Sequence, residues 1–439
     1  MGPQGEHRGK AARLSSVSIP RSLRVAFLLP SFPELSNTFI MEQVTGLIDR
    51  GHEVDLFAVT AKSFATLPAE LAPYALEDRM RHLSIPRSRL RRTWSALRIL
   101  TGPAGLHRAN LDALDVRWHG RRAWDLTQLH TAASFVRAGP YDVLHCQFGN
   151  LGPVGERLVR AGAVGAALVT SFRGADLSVH YPAHPRRFSA LFSRGDLHLP
   201  VCDEFRTRLL AAGAPPERIA VHHSGIDLER FAFVERGPPT GTFKLLFVGR
   251  LSEKKGVAYA IEALAHLIGG GRSAELTVIG DGALEHDLRA RALSLGLSQR
   301  VRFYGSRSRA DVASAMRAAH VLVAPSVTAR DGDQEGIPNV LKEAMASGLP
   351  VVSTRHAGIP ELIEHGVTGF LAPEHDAELL AEYMTVLMDQ PERSAIMARA
   401  ARAKVEAEFD TQRLNDSLVT RYREAVARRA AGQSPIDAD

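Results

Sequence analysis

Cysteine is nearly missing from this chain: two residues, Cys146 and Cys202, in 439. That excludes a disulfide framework and a cysteine-based zinc site, and it suits a reducing compartment. Long apolar runs are missing as well. The longest nearly uncharged one, residues 161–172, is far shorter than the roughly 20 residues a bilayer-spanning helix needs. The first 23 residues carry Arg8, Lys10, Arg13 and Arg21 among Gly, Ser and Pro. They lack the apolar core of a signal peptide, since residues 25–30 are too short a run to serve as one, so 1–23 reads as a disordered basic tail. With 45% hydrophobic and 23% charged residues, wholesale disorder is excluded. The length predicts two or three domains with a sizeable core.

Aromatic residues are few, 6% of the chain, and the three tryptophans are bunched. Trp94, Trp118 and Trp124 lie in or beside residues 79–122, a stretch with eleven arginines, no lysine and two acids, Asp112 and Asp115. That stretch is net +9, which leaves about −3 for the rest of a chain whose total is +6. Arginine interleaved with tryptophan suits an anionic membrane surface. A solvated helical face is the other reading. Nucleic acid is set aside, because no helix-turn-helix, RNA-binding or zinc signature accompanies the charge.

Short apolar runs alternate with helix-like segments, the pattern of parallel sheets with crossover helices. The expected strands are 24–29, 53–59, 142–145, 168–172, 197–201 and 219–222, then 244–248, 275–279, 301–304, 321–324 and 350–353. Between the two series lies Arg236-Gly-Pro-Pro-Thr-Gly241, a linker signal. The expectation is an α/β protein with a first doubly wound domain over 24–235 and a second over 236–409. A ligand cleft is expected between them. Leu414, Leu418, Tyr422 and Val426 recur at every fourth position, one stripe of a long helix within 410–439 that must pack on what is already built.

The most informative segment is Glu335-Gly336-Ile337-Pro338-Asn339-Val340-Leu-Lys-Glu343. Gly-x-Pro before good helix formers predicts a helix starting near Pro338, whose free N–H groups and positive dipole end suit phosphate. Glu335 and Glu343 would lie roughly 12 Å apart along the axis and on one side of it. One carboxylate could then hold a sugar's hydroxyls and the other a ribose, with a pyrophosphate between. Solvated helix-end glutamates are the alternative. A second segment, Val-Gly249-Arg250-Leu-Ser-Glu-Lys254-Lys255-Gly256, puts Arg250 and Lys255 at the carboxyl edge of the second domain's first strand, where cations suit a diphosphate. A third, Val278-Ile279-Gly280-Asp281-Gly282, is a strand-to-glycine turn that lets a nucleotide approach the backbone.

These three elements, in this order, resemble the nucleotide-binding domain of the family 4 glycosyltransferases of the GT-B fold, enzymes that retain the donor's anomeric configuration. Gly348-Leu-Pro-Val-Val-Ser-Thr, Gly358-Ile-Pro-Glu-Leu-Ile and His365-Gly-Val-Thr-Gly-Phe fit the same pattern. The resemblance covers about 24–409. Phe32-Pro-Glu-Leu-Ser36-Asn37-Thr-Phe39 and Asp331-Gly-Asp-Gln-Glu335 are similar to the subgroup that builds colanic acid, amylovoran and related exopolysaccharides. The resemblance implies a UDP- or GDP-linked sugar donor and no metal cofactor. It implies a saccharide acceptor, and the arginine–tryptophan stretch adds the expectation that this acceptor is polyprenyl-diphosphate-linked and that a cytoplasmic enzyme lies at the inner face of the plasma membrane. Glu335, Arg250, Lys255 and Arg173 are the expected catalytic groups. Glu343, Gly336–Val340, Gly249, Gly280, Asp281 and Gly282 are expected at the donor, and His145, Asp176, Ser36 and Asn37 at the acceptor or cleft.

One position departs from the family. Where members commonly carry His-Gly-x-Asp, this chain reads Arg173-Gly174-Ala-Asp176. A guanidinium cannot act as a base, so Arg173 either supports the phosphate or acceptor charge, or pairs with Asp176 to position the loop. His145 is either the cleft's imidazole or a hydrogen-bonded structural histidine. Asp331-Gly-Asp333 resembles a metal-holding Asp-x-Asp but sits in the wrong fold for it, and His222-His223 is read as packing. Three rivals stay open. A synthase or phosphorylase would take a soluble acceptor, an epimerase would need none, and a silent nucleotide-sugar-binding partner would bind without turnover.

Overall fold

The computed structural model describes residues 22–34, 38–64, 67, 69–83, 85–86, 88–102, 105–115 and 125–432. Ser36, Asn37, Trp118, Trp124 and the basic tail up to residue 21 lie outside the described residues. Leu23, placed at the end of that tail by the sequence, is 1% exposed and gives its N–H to His52 Nδ1 at 3.0 Å, so the ordered domain begins before Arg24.

Runs such as Val143–Cys146, Ala167–Phe172 and Val321–Ala324 are buried on both faces, as strands of a fully covered parallel sheet must be. Two such sheets form. The first contains β1 (Arg24–Phe32), β2 (Glu53–Ala61), β3 (Met80–His82), β4 (Val143–Cys146), β5 (Ala167–Phe172) and β6 (Leu197–Pro200), in the order β3-β2-β1-β4-β5-β6. The second contains β7 (Phe243–Val248), β8 (Ala274–Ile279), β9 (Val301–Phe303), β10 (Val321–Ala324), β11 (Val351–Thr354) and β12 (Phe370–Ala372), in the order β12-β11-β10-β7-β8-β9. Every pairing is parallel, and both orders reverse beside the first strand of their domain, which is where such sheets open a ligand crevice.

Two of these strands, β3 and β12, were not expected. Each is three residues long, too short to show a period. Conversely, residues 219–222 form only an isolated bridge beside β6. Ala220 N donates to His198 O (3.0 Å) and His222 N to Pro200 O (2.9 Å), after which the chain leaves for the other domain.

Six helices matter below: α1 (Thr38–Asp49), α2 (Arg89–Thr101), α3 (Val257–Gly269), α4 (Arg309–Ala318), α5 (Asn339–Ala346) and α6 (Thr411–Ala430). The stripe on α6 packs into the first sheet's core, where Leu418 and Tyr422 are fully buried beside Phe27 and Val169. At Gly46 of α1, a Cβ would meet Asn415 Nδ2 at 1.9 Å, so the glycine is what lets α6 lie so close. The chain thus crosses between the domains twice. The crossings are joined: Ile226 N donates to Phe409 O (2.9 Å) and Thr411 N to Ile226 O (3.1 Å). The Gly-Pro-Pro segment lies beyond this point. Ile226 and Phe231 already pack on the second domain's core, and Arg236 bonds the carbonyls of Met316, Ala319 and Gly348.

Candidate active site between the sheets

The helix expected near Pro338 starts at Asn339 as α5, with Pro338 as its N-cap. Glu335 sits in the loop before it, with its side chain 15% exposed. Two ammonium groups hold its carboxylate: Lys255 Nζ at 2.9 Å and Lys254 Nζ at 3.2 Å. Burial alone would raise its pKa, but the two lysines outweigh that and bring it to about 2. Lys254 also reaches Asp333 at 2.9 Å, which commits one carboxylate of the Asp-x-Asp pair to an ammonium. Among the described residues no group of three or more His, Cys, Asp or Glu is placed to hold a metal. Lys254, to which the sequence assigned no role, is a member of this site.

Arg250, at the carboxyl end of β7, is exposed, and its guanidinium has no hydrogen-bond or ion-pair partner among the described residues. Glu34 of the first domain is lowered chiefly by the Ser31 hydroxyl, against burial, with Lys62 and then Arg250 adding to the fall. Gly249, Gly280 and Gly282 do bring backbones together, but the approaching backbone is the protein's own. A Cβ on Gly280 (φ +137°) would meet Gly249 O at 1.9 Å, and one on Gly282 would meet Leu251 O at 2.4 Å. Gly280 and Gly282 therefore let the β7 and β8 loops lie against each other. Asp281, exposed, accepts from Ser306 Oγ at 2.8 Å.

Glu343, on α5, has its pKa raised by burial against the pull of Arg309 and Lys342. Facing it is Glu42 of α1, raised to about 7 by burial, with Arg309 opposing and Glu343 adding to the rise. Lys342 is completely buried and lowered to about 7, mainly by burial; its Nζ donates to Ser224 O at 2.5 Å.

The first domain meets this loop directly. A Cβ on Gly336 would touch Val201 Cγ2 at 2.6 Å, one on Gly174 would touch Gln334 O at 3.0 Å, and Gln334 N donates to Ser178 Oγ at 3.3 Å. Ile337 packs against cores of both domains, and Val340 against the second only. Arg173 lies next to that contact. Its guanidinium donates to Gln147 O (3.1 Å), Gln147 Oε1 (2.9 Å) and Ser224 Oγ (2.9 Å), and it stacks on Phe39 at 4.2 Å. Burial lowers its pKa to about 10, with Asp176 and Tyr422 resisting, so it stays charged at neutral pH.

Two expectations are corrected. Asp176 does not pair with the guanidinium. Its carboxylate accepts backbone N–H groups from Gly149 (2.8 Å), Gly174 (2.9 Å) and Arg173 (3.0 Å), which shapes the loop. His145 is not an imidazole of the cleft. It is fully buried, with Nδ1 on Tyr422 Oη (2.6 Å) and Nε2 on Ser171 Oγ (2.8 Å), and burial and the nearby Arg173 charge hold its pKa well below the usual value. The last helix, through Tyr422, supplies the partner that the local sequence around His145 could not reveal.

Arg87, Arg117, Arg121 and Arg122 of the arginine-rich stretch lie outside the described residues, and the seven described arginines divide in two. Arg79, Arg81 and Arg92 are spent inside the domain, on Tyr74 O, Asp55 and Pro86 O. Arg89, Arg91, Arg98 and Arg108 are exposed. Beside them α2 turns its inner side, with Ala96, Ile99 and Leu100, to the core. It leaves Leu90 (79% exposed), Trp94 (69%) and Leu97 (53%) on one outward stripe. No helix among the described residues is long and apolar enough to cross a membrane.

Comparison with known proteins agrees with this architecture. The model of Glycosyltransferase Family 4 matches residues 36–230, and that of Glycosyl transferases group 1 matches 229–404. WcaL of Salmonella typhimurium, a glycosyltransferase named for colanic acid biosynthesis, is 35% identical over 91% of this chain and 99% of its own. The amylovoran biosynthesis glycosyltransferase AmsK of Erwinia amylovora is 34% identical over 88% of this chain and 96% of its own. Among solved structures, Anabaena HepE in complex with UDP superposes with a TM-score of 0.68 at 20% identity, covering 91% of this chain and 99% of HepE. The glycosyltransferase WaaG, involved in lipopolysaccharide biosynthesis, gives 0.61 at 20% identity, covering 90% and 98%. With two parallel sheets of one strand order facing each other across the Glu335 loop, and relatives matched over nearly their whole length, the chain belongs to the family 4, group 1 glycosyltransferases and has the GT-B fold.

Proposed function

We propose that this glycosyltransferase moves a hexosyl group from a nucleotide-sugar to a saccharide carried on a polyprenyl diphosphate, with retention of configuration, in exopolysaccharide assembly. The observation that carries the proposal is the ionised Glu335 held by Lys254 and Lys255 at the start of α5, with Arg250 uncommitted nearby. A carboxylate near pKa 2 accepts hydrogen bonds from sugar hydroxyls and does not donate a proton. Arg250, Lys255 and the free N–H groups of α5 take the charge that builds on the departing pyrophosphate, a role needing no divalent ion. Glu343, near the far end of α5, takes the ribose.

In the transfer, the bond from the anomeric carbon to the phosphate oxygen breaks, and one to the acceptor oxygen forms on the same face. The acceptor's proton goes to the departing phosphate, because His145 is sealed away and Arg173 stays protonated. Exopolysaccharide as the pathway rests on the names of WcaL and AmsK. A lipid-linked acceptor at the inner face of the plasma membrane rests on the α2 stripe and its arginines, which suit an anionic lipid surface.

The test is thermal stabilisation by UDP, GDP, ADP and their sugar conjugates, with and without magnesium, followed by turnover with the sugar conjugate of the base that binds. The expected result is one base that stabilises without metal, and stabilisation lost in Arg250→Met and Lys255→Met. No stabilisation by any nucleotide would overturn the reading.

A further inference from the structure

The loop that carries Glu335 is held from behind by two residues that no motif named. His356, between β11 and the turn into Ile359–Leu362, is fully buried. Its Nε2 lies 3.0 Å from the backbone N of Glu335 and its Nδ1 2.6 Å from Glu374 Oε1. An amide N–H can only donate, so Nε2 must be the unprotonated nitrogen and Nδ1 must carry the proton that Glu374 accepts. Glu374 follows β12, and its other oxygen accepts the Thr328 N–H at 2.7 Å, at the opposite end of the same loop. Gln334 Nε2 closes the circuit by donating to Thr328 Oγ1 at 2.9 Å. Burial would raise the pKa of Glu374, but the Thr328 N–H and His356 keep it below the usual carboxylate range, so it remains an acceptor.

We propose that His356 and Glu374 are positioning residues for the transfer: they hold the Glu335 amide and Thr328, and so set where the Glu335 carboxylate meets the donor sugar. The proposal rests on the reading of Glu335 given above. Lys254 and Lys255 fix the carboxylate from the α3 side while His356 fixes the main chain from the β11 side. With the loop held at both ends, the carboxylate keeps its place when Lys255 turns to a pyrophosphate. Loss of the His356 acceptor frees the Glu335 N–H and the loop with it, so the chemical step suffers most, while Arg250 and Glu343, two of the nucleotide-binding groups, are untouched.

Two measurements on the full chain decide it. Nitrogen-15 spectra of histidine-labelled protein should show His356 as the neutral Nδ1–H tautomer with Nε2 accepting, and Glu374→Gln should change that signature. An Nε2–H tautomer would overturn the proposal, and this reading needs no substrate. With the nucleotide-sugar that the stabilisation screen selects, His356→Ala should lower kcat about tenfold and leave affinity for the matching nucleoside diphosphate within about twofold. His356→Gln, whose Oε1 stands near the position of Nε2, should recover most of that loss. A His356→Ala enzyme with normal kcat, or a folded His356→Gln enzyme as impaired as His356→Ala, would each sink the idea. If no nucleotide-sugar turns over even with the wild-type chain, the functional reading fails, and the tautomer still decides the positioning.

Discussion

The carboxyl ends of the two sheets use polar side chains in opposite ways. At the first, Arg173, Gln147, His145, Ser171 and Tyr422 form a closed set in which each group is held by another. At the second, Glu335 is partly accessible between two lysines, and the exposed Arg250 guanidinium has no partner among the described residues. Buried polar groups that satisfy one another stiffen a wall, whereas those left at an opening are available to a ligand. The first sheet offers shape and the second offers charge, although both have the same strand order.

The largest expected effect on chemistry falls on the second side. Glu335→Ala should cut turnover by about a hundredfold, well over tenfold in any case, while circular dichroism shows the fold intact. Wild-type turnover in that variant would reverse the assignment of roles. Two arginines carry the next contrast. Arg173→Met strands the Gln147 and Ser224 acceptors and should lower stability in urea by about 3 kcal/mol. Arg250→Met should stay within about 0.5 kcal/mol of wild type yet weaken nucleotide binding about tenfold. If the stability loss belonged to Arg250 instead, the division between wall and opening would be wrong.

A pH comparison reads the same division. The folded-state pKa of Glu335, about 2, lies below its ordinary 4.5, so its contribution is present above pH 4.5 and is lost as pH falls toward 2. The stability gap between wild type and Glu335→Gln should be on the order of 3 kcal/mol at neutral pH and shrink steadily below pH 4.5. A gap independent of pH would contradict the pairing with Lys254 and Lys255. The smallest effect on the enzyme itself is expected at α2. Replacing Leu90, Trp94 and Leu97 with serine should shift stability by no more than about 0.5 kcal/mol per site and abolish sedimentation with anionic vesicles. Sedimentation that persisted, or that ignored lipid charge, would remove the membrane reading.

What could be read in advance was whatever the chain writes locally. Continuous apolar runs announced most strands, Gly-Ile-Pro announced α5, and a period of four announced α6. The residues that escaped are those whose meaning lies in a partner far along the chain. His145 becomes structural only when Tyr422, 277 positions away, arrives at its ring. Asp333, set aside as a metal ligand from the sequence, has no visible role until Lys254 reaches it. His356 has no role until β11 sets it behind Glu335. The glycines at 280 and 282 signalled a close approach of backbones, but a one-dimensional pattern does not say which backbone arrives.

The paired crossings at Ile226 and Phe409–Thr411 limit how the two halves can move. Two connections tied side by side resist both sliding and twisting, so the motion left is a swing about the line they define. Such a swing is smallest at the pivot and grows with distance from it, as at the rim of a door. Lys342, which donates to Ser224 next to the pivot, would hardly shift, while contacts farther out part first.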